Sequence, residues 1–92
     1  MEFTASFSHD RKVKPALLAF RTLSEAEIRA LGSGQYVMCR LNNGRVGQAR
    51  LTSAPKTWKR DASRVEVNVK HGLYDYACFS LGEALERFCV SL

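Results

Sequence analysis

The sequence predicts an α+β domain in which an antiparallel sheet of four to five strands carries two or three short helices on one face. Three observations lead there. Residues 64–70 alternate strictly, with Val65, Val67 and Val69 on one side and Arg64, Glu66, Asn68 and Lys70 on the other, which is the period of a half-buried strand. Asn42-Asn43-Gly44 is a hairpin turn signal between two further strand-like runs. Ser24 with Glu27, and Ser80 with Glu83, have the Ser-x-x-Glu spacing of a helix capping box.

The elements follow in order. Residues 1–8 alternate, with Met1, Phe3, Ala5 and Phe7 opposite Glu2, Thr4, Ser6 and Ser8, and read as the first strand. His9-Asp10-Arg11-Lys12 is a polar break. Residues 15–20 are expected to be helical, because Pro15 is tolerated in a first helical turn. A short helix over about 25–31 is capped by Ser24, buries Leu23, Ile28 and Leu31, and meets Gly32 at its far end.

Side-chain matching sets the register of the hairpin. A two-residue turn at Asn43-Gly44 would pair Cys39 with Gln48 and Val37 with Arg50, mixing apolar and polar groups on each face. A three-residue loop with Gly44 left-handed instead pairs Val37 with Ala49, Cys39 with Gly47, Met38 with Gln48 and Tyr36 with Arg50. The second register is preferred, since one face becomes core while Arg40, Gln48 and Arg50 point the other way.

Residues 52–62 hold Pro55 and no periodicity and are expected to be an exposed loop. His71-Gly72 is a turn, residues 73–79 form a last strand rich in aromatics, and a final helix after Ser80 buries Leu81, Leu85, Phe88 and Cys89. Without repeats or linkers, residues 1–92 make a single domain. The alternative architecture is a small SH3-like barrel, which the number of strands does not distinguish from an open sheet.

A 92-residue chain buries roughly 60 to 65 % of the surface its unfolded form exposes, so its stability is marginal. Apolar runs fall short of the roughly 20 residues a membrane helix needs. Met1-Glu2-Phe3-Thr4 has an acid where a signal peptide has a basic region, which argues for a cytoplasmic protein. Cys39, Cys78 and Cys89 lie far apart in apolar runs and read as reduced, structural side chains. A zinc site with His9 or His71 lacks the short fixed spacings of ligand pairs.

Chemistry finds little foothold in the sequence. His9-Asp10 is the nearest acid-base pair, and it reads as a solvated turn; His71 before Gly72 reads the same way. There is no Gly-x-Ser-x-Gly, phosphate-binding glycine loop or acidic metal cluster. The expectation is a protein that is not an enzyme and takes neither cofactor nor metal.

Charge is the informative feature. Residues 35–72 carry eight Lys or Arg against two acids, while the rest of the chain is slightly acidic, so the net +5 comes from the middle. Trp58 sits inside Lys56-Thr57-Trp58-Lys59-Arg60. Concentrated cationic charge with an aromatic inside it suits a polyanion. On a nucleic acid, Arg would fork onto phosphate oxygens, Lys would supply a mobile point charge, and Trp58 and Tyr36 would stack on unpaired bases. The expected contact residues are Arg40, Arg50, Lys56, Trp58, Lys59, Arg60 and Arg64, with Lys70 beside them. Against this stands a plain solvating surface in which Trp58 merely pins its loop to the core. The aromatic signatures of the RRM are absent.

With a compact single domain, no catalytic constellation and the basic stretch Lys56-Thr57-Trp58-Lys59-Arg60-Asp61, the chain resembles the small phage-encoded anti-CRISPR proteins, among them those acting on type I-F surveillance complexes. Those proteins share no common fold or signature, so no residue roles carry over. The resemblance implies a stoichiometric inhibitor in the host cytoplasm that docks on a Cas protein–guide RNA complex and blocks target DNA. Acidic anti-CRISPR proteins mimic DNA; a chain of +5 departs from that pattern and is expected to meet guide RNA or acidic protein surfaces. Two other readings remain: a free RNA- or DNA-binding accessory protein, and a module that self-associates through residues 73–79, with monomer and dimer both open.

Overall fold

The computed structural model describes residues 1–7, 14, 16–71 and 75–92. In chain order they form β1 (Glu2–Phe7), β2 (Ala16–Thr22), α1 (Glu25–Arg29), β3 (Tyr36–Arg40), β4 (Val46–Leu51), β5 (Lys56–Thr57), β6 (Val65–His71), β7 (Asp75–Ser80), α2 (Leu81–Arg87) and β8 (Phe88–Ser91). One sheet of eight strands runs β1-β2-β8-β3-β4-β6-β5, with β7 on β6. A parallel pair between Phe7 and Val46 joins β1 back to β4 and closes β1, β2, β8, β3 and β4 into a five-stranded barrel. The closed barrel fits the SH3-like alternative better than an open sheet, and the strand count exceeds the four to five expected.

The hairpin holds the preferred register: Tyr36 opposes Arg50, Val37 Ala49, Met38 Gln48 and Cys39 Gly47. Gly44 lies at φ +82°, the left-handed conformation that closes a three-residue loop, and its amide donates to the Leu41 carbonyl at 3.0 Å. Both capping boxes are formed at Ser24–Glu27 and Ser80–Glu83, and Leu23, Ile28 and Leu31 are buried. The chain reverses after α1 through Gly34 at φ +79°, not through Gly32 as the sequence suggested.

Three expected elements differ. Residues 16–22 are a strand and not a helix, because β2 pairs along the whole of β1 and buries Phe20 between Phe3 and Phe7, whose rings lie 5.7 and 6.3 Å away. Helix propensity in Ala-Leu-Leu-Ala is a few tenths of a kcal/mol per residue, and burying one phenylalanine outweighs it. The final helix stops at Arg87, and Phe88, already extended at φ −77° and ψ 133°, begins β8. Alternation there serves two cores: Phe88 enters one and Cys89 the other, which consecutive helical residues cannot do. Lys56–Thr57, expected in a loop, pairs as β5 with Glu66 and Val65.

The main core lies between the helices and one face of the sheet, with Ile28, Val37, Leu51, Val67, Val69 and Phe88 at its centre. A smaller one fills the barrel, where Ala5, Phe20, Val46 and Cys89 meet Phe3, Phe7 and Met38. The sheet face away from the helices, expected to be at least partly open, is covered by β1 and β2 at its Met38–Val46 end and open beyond it. His9-Asp10, Gly72 and the first residues of the expected last strand fall outside the described residues. His71 is the last residue of β6, opposite Asp75.

Candidate polyanion-binding face

Glu66 pairs with both Lys56 and Ser80, and Lys70 with both Arg50 and Tyr76. A strand has two edges, so β7 holds one edge of β6 while β4 and β5 lie end to end along the other. Between them the Thr52 amide still donates to the Asn68 carbonyl at 3.0 Å, and Pro55, which has no N–H, marks the break. The alternation of β6 then sorts the side chains: Val65, Val67 and Val69 go into the core, and Glu66, Asn68 and Lys70 face outward.

On that outer face the registers assemble one row across four strands. Tyr36 of β3 stands beside Arg50 of β4, Arg50 beside Lys70 of β6, and Lys70 beside Tyr76 of β7. Each cation lies over the ring of its neighbouring tyrosine, Arg50 at 5.9 Å from the Tyr36 centroid and Lys70 at 5.4 Å from that of Tyr76. Both rings stay largely in solvent, Tyr36 60 % and Tyr76 68 % exposed.

The far end of the same face is the β5–β6 hairpin. The Trp58 amide donates to the Arg64 carbonyl at 3.0 Å, and the Arg64 amide to that of Asp61 at 3.0 Å. Asp61 accepts from the amide and hydroxyl of Ser63, an Asx turn that fixes the connection. These bonds hold the Asp61 carboxyl below its ordinary range, with the Arg64 charge assisting. Arg64 lies 5.2 Å over the Trp58 ring, and Trp58 remains 48 % exposed, so it does not serve to pin a loop to the core. Lys56, Lys59 and Arg60 are exposed around it.

Of the expected contact residues, Arg50, Lys56, Trp58 and Arg64 belong to this face, and Lys59 and Arg60 to the turn at its end. Arg40 does not. Its guanidinium lies 4.8 Å over the Phe3 ring at the barrel, where β1 covers the sheet, and its carbonyl accepts a hydrogen bond from Arg87 at 3.1 Å. Arg87 is likewise structural, donating to Asn42 Oδ1 at 2.8 Å and lying over Phe79. Sequence reasoning missed Tyr76 as a partner of the cations. Its signal was the outward parity of β7, but that parity depends on a β6–β7 register whose turn has no distinctive chemistry.

Charge pairing separates the face from the rest. Among the described residues the two salt bridges are Arg21–Glu27 at 2.8 Å and Arg29–Glu25 at 3.0 Å, both at α1. Arg50, Lys56, Lys59, Arg60, Arg64 and Lys70 make none with a described residue. Among the outward positions of β3, β4, β6 and β7, Glu66 is the one acid, and its carboxylate accepts from the Cys78 thiol at 3.3 Å.

Cys78 is exposed on β7 and does not behave as the small buried hydrophobe expected of it, because residue 78 shares the outward parity of Tyr76. Partial burial and the neighbouring Glu66 carboxylate raise its pKa. Cys39 and Cys89 are buried free thiols, each pushed up to about 11 by burial. Burial lowers the pKa of His71, and Arg87 adds to this while Asp75 opposes it. No helix among the described residues is long and apolar enough to cross a membrane. No protein-family model, curated protein or solved structure matches this chain.

Proposed function

We propose that this protein is a non-enzymatic binder that lays the outer face of β4, β5 and β6 on the RNA of a ribonucleoprotein. The observation that carries the reading is a set of cations gathered on one sheet face and its adjoining turn, unpaired by carboxylates and interleaved with exposed aromatic rings. Cations that spend no charge on internal ion pairs keep it for a partner, and Trp and Tyr beside them supply contact area of the kind that dominates interfaces. In its specific form, the partner is a Cas protein–guide RNA surveillance complex whose access to target DNA the bound protein blocks. The net +5 supports contact with guide RNA over mimicry of DNA.

The test is capture of the complex by tagged protein, with and without RNase. Capture is expected to fail for the triple variant K56E/K59E/R60E while its melting temperature stays within a few degrees of wild type, since all three side chains are exposed. Undiminished capture by the triple variant rules out the turn.

A second reading has its own observation. Among the described residues β7 pairs only with β6, which leaves a six-residue edge without Lys or Pro, the kind of edge that pairs with another chain. Self-association through β7 predicts a dimer by light scattering; a strict monomer at working concentrations removes it.

A further inference from the structure

We infer that the row Tyr36–Arg50–Lys70–Tyr76 is a track for single-stranded nucleic acid, running across the strands, with phosphates on the two central cations and bases stacked on the two outer rings. The inference rests on the polyanion-binding reading above and narrows it to a class of ligand. Neighbouring strands lie about 4.8 Å apart, so the row spans roughly 14 Å from Tyr36 to Tyr76. That is too far for the two rings to sandwich one base, and it suits two bases that bracket the phosphates between them.

The order of the side chains selects the ligand. Anionic lipid headgroups and acidic peptides would engage Arg50 and Lys70 but offer no flat apolar faces to the flanking tyrosines. A duplex carries the phosphates but keeps its base faces stacked inside. An unpaired strand presents both, and stacking is tolerant of sequence because every base has a π-face. The row carries no acid, and the neighbouring row, Asn68 beside Cys78, is neutral. The cation–π pairs orient the rings in advance: Arg50 over Tyr36 and Lys70 over Tyr76 keep each aromatic beside the charge that holds the adjacent phosphate. Trp58 under Arg64 repeats the arrangement three rows further along the same face, beyond the row of Lys56 and Glu66.

The experiment is fluorescence anisotropy with labelled 12-nucleotide oligo(U) RNA, oligo(dT) DNA and a 12-base-pair duplex, over a series of salt concentrations. At least one single strand should bind more tightly than the duplex, and whether RNA, DNA or both do so identifies the source. Y36A and Y76A should each weaken single-strand binding about 5- to 150-fold, the range for losing one stacked base, without changing the salt dependence. R50Q and K70Q should each flatten the slope of log affinity against log salt by about 0.7. Y36F and Y76F, which keep the ring, should bind like wild type and verify that the alanine variants did not act through folding. Equal affinity for duplex, unaltered binding by Y36A and Y76A, or a flattened slope in the tyrosine variants overturns the inference. If single strands are not bound while wild type still captures a ribonucleoprotein, this inference fails and the reading above survives. If single strands bind as described and no ribonucleoprotein is captured, the reverse holds.

Discussion

Two faces of the same strands divide the labour of this molecule. On the inner face of β4, β6 and β7, Leu51, Val69 and Ala77 stand in one row; one residue away on the outer face, Arg50, Lys70 and Tyr76 stand in the next. The inner row is buried or packed on the core, and the outer row meets solvent. Because side chains alternate, the register that buries the valines of β6 also lines up the cations and tyrosines. The face therefore needs no loop of its own to hold the row in place. Hydrophobic burial, the strongest force available to a chain this short, positions the groups that contribute least to stability.

The sharpest way to break this comparison is to change the charge by one unit on each side. Val67→Asp places a carboxylate at a fully buried position and should cost more than about 4 kcal/mol, enough to abolish the cooperative melting transition. Lys70→Gln, three residues away and facing out, should change stability by no more than about 0.5 kcal/mol. Similar melting curves for the two variants would mean that the faces are not separate. The barrel core offers a smaller contrast: Phe20→Ala should cost about 3 to 5 kcal/mol by leaving Phe3 and Phe7 without their partner.

Much of the inner face was legible in the sequence because burial writes itself as periodicity. The valines of β6, the hairpin register and both capping boxes depend on neighbours within a few residues. What was not legible depends on distant chain. Ala-Leu-Leu-Ala-Phe reads as helix until β1 arrives to pair with it, and Phe88-Cys89 reads as the end of α2 until two cores lie on opposite sides of β8. For the site, Arg50 and Arg64 follow from local parity, while Lys56 and Trp58 follow from the density of charge around them and gain their place on the face only through the pairing of β5 with β6. Arg40 shares the parity but loses its exposure to Phe3, a contact across 37 residues that no local pattern carries.

Thiol chemistry sharpens the same division. Maleimide labelling of the native protein near pH 7.5 should modify Cys78 alone, because Cys39 and Cys89 are buried with thiols pushed up to about 11. Mass spectrometry showing two or three rapid additions would mean that the core opens easily. The smallest effect concerns α1. Hydrogen bonds from Arg21 and from the Ser24 backbone hold the Glu27 carboxyl at about 2, down from an ordinary 4.5. A carboxyl with a lowered folded-state pKa contributes stability that is fully present above about 4.5 and is lost as pH falls through about 2. Wild type should therefore lose slightly more stability than Glu27→Gln over that window, as thermal melts at intervals between pH 6 and pH 2 would register; identical acid profiles would remove the pair from the account.

The central claim is that the outer row, and not another surface, receives the partner. Titration of ¹⁵N-labelled protein with a 12-nucleotide single strand, followed by amide shift changes, tests it residue by residue. Changes concentrated at Tyr36, Arg50, Lys70 and Tyr76 and extending toward Trp58 and Arg64 are the predicted result. Changes centred on α1 or on the exposed Leu17 and Leu18 of β2, with the row silent, would contradict it.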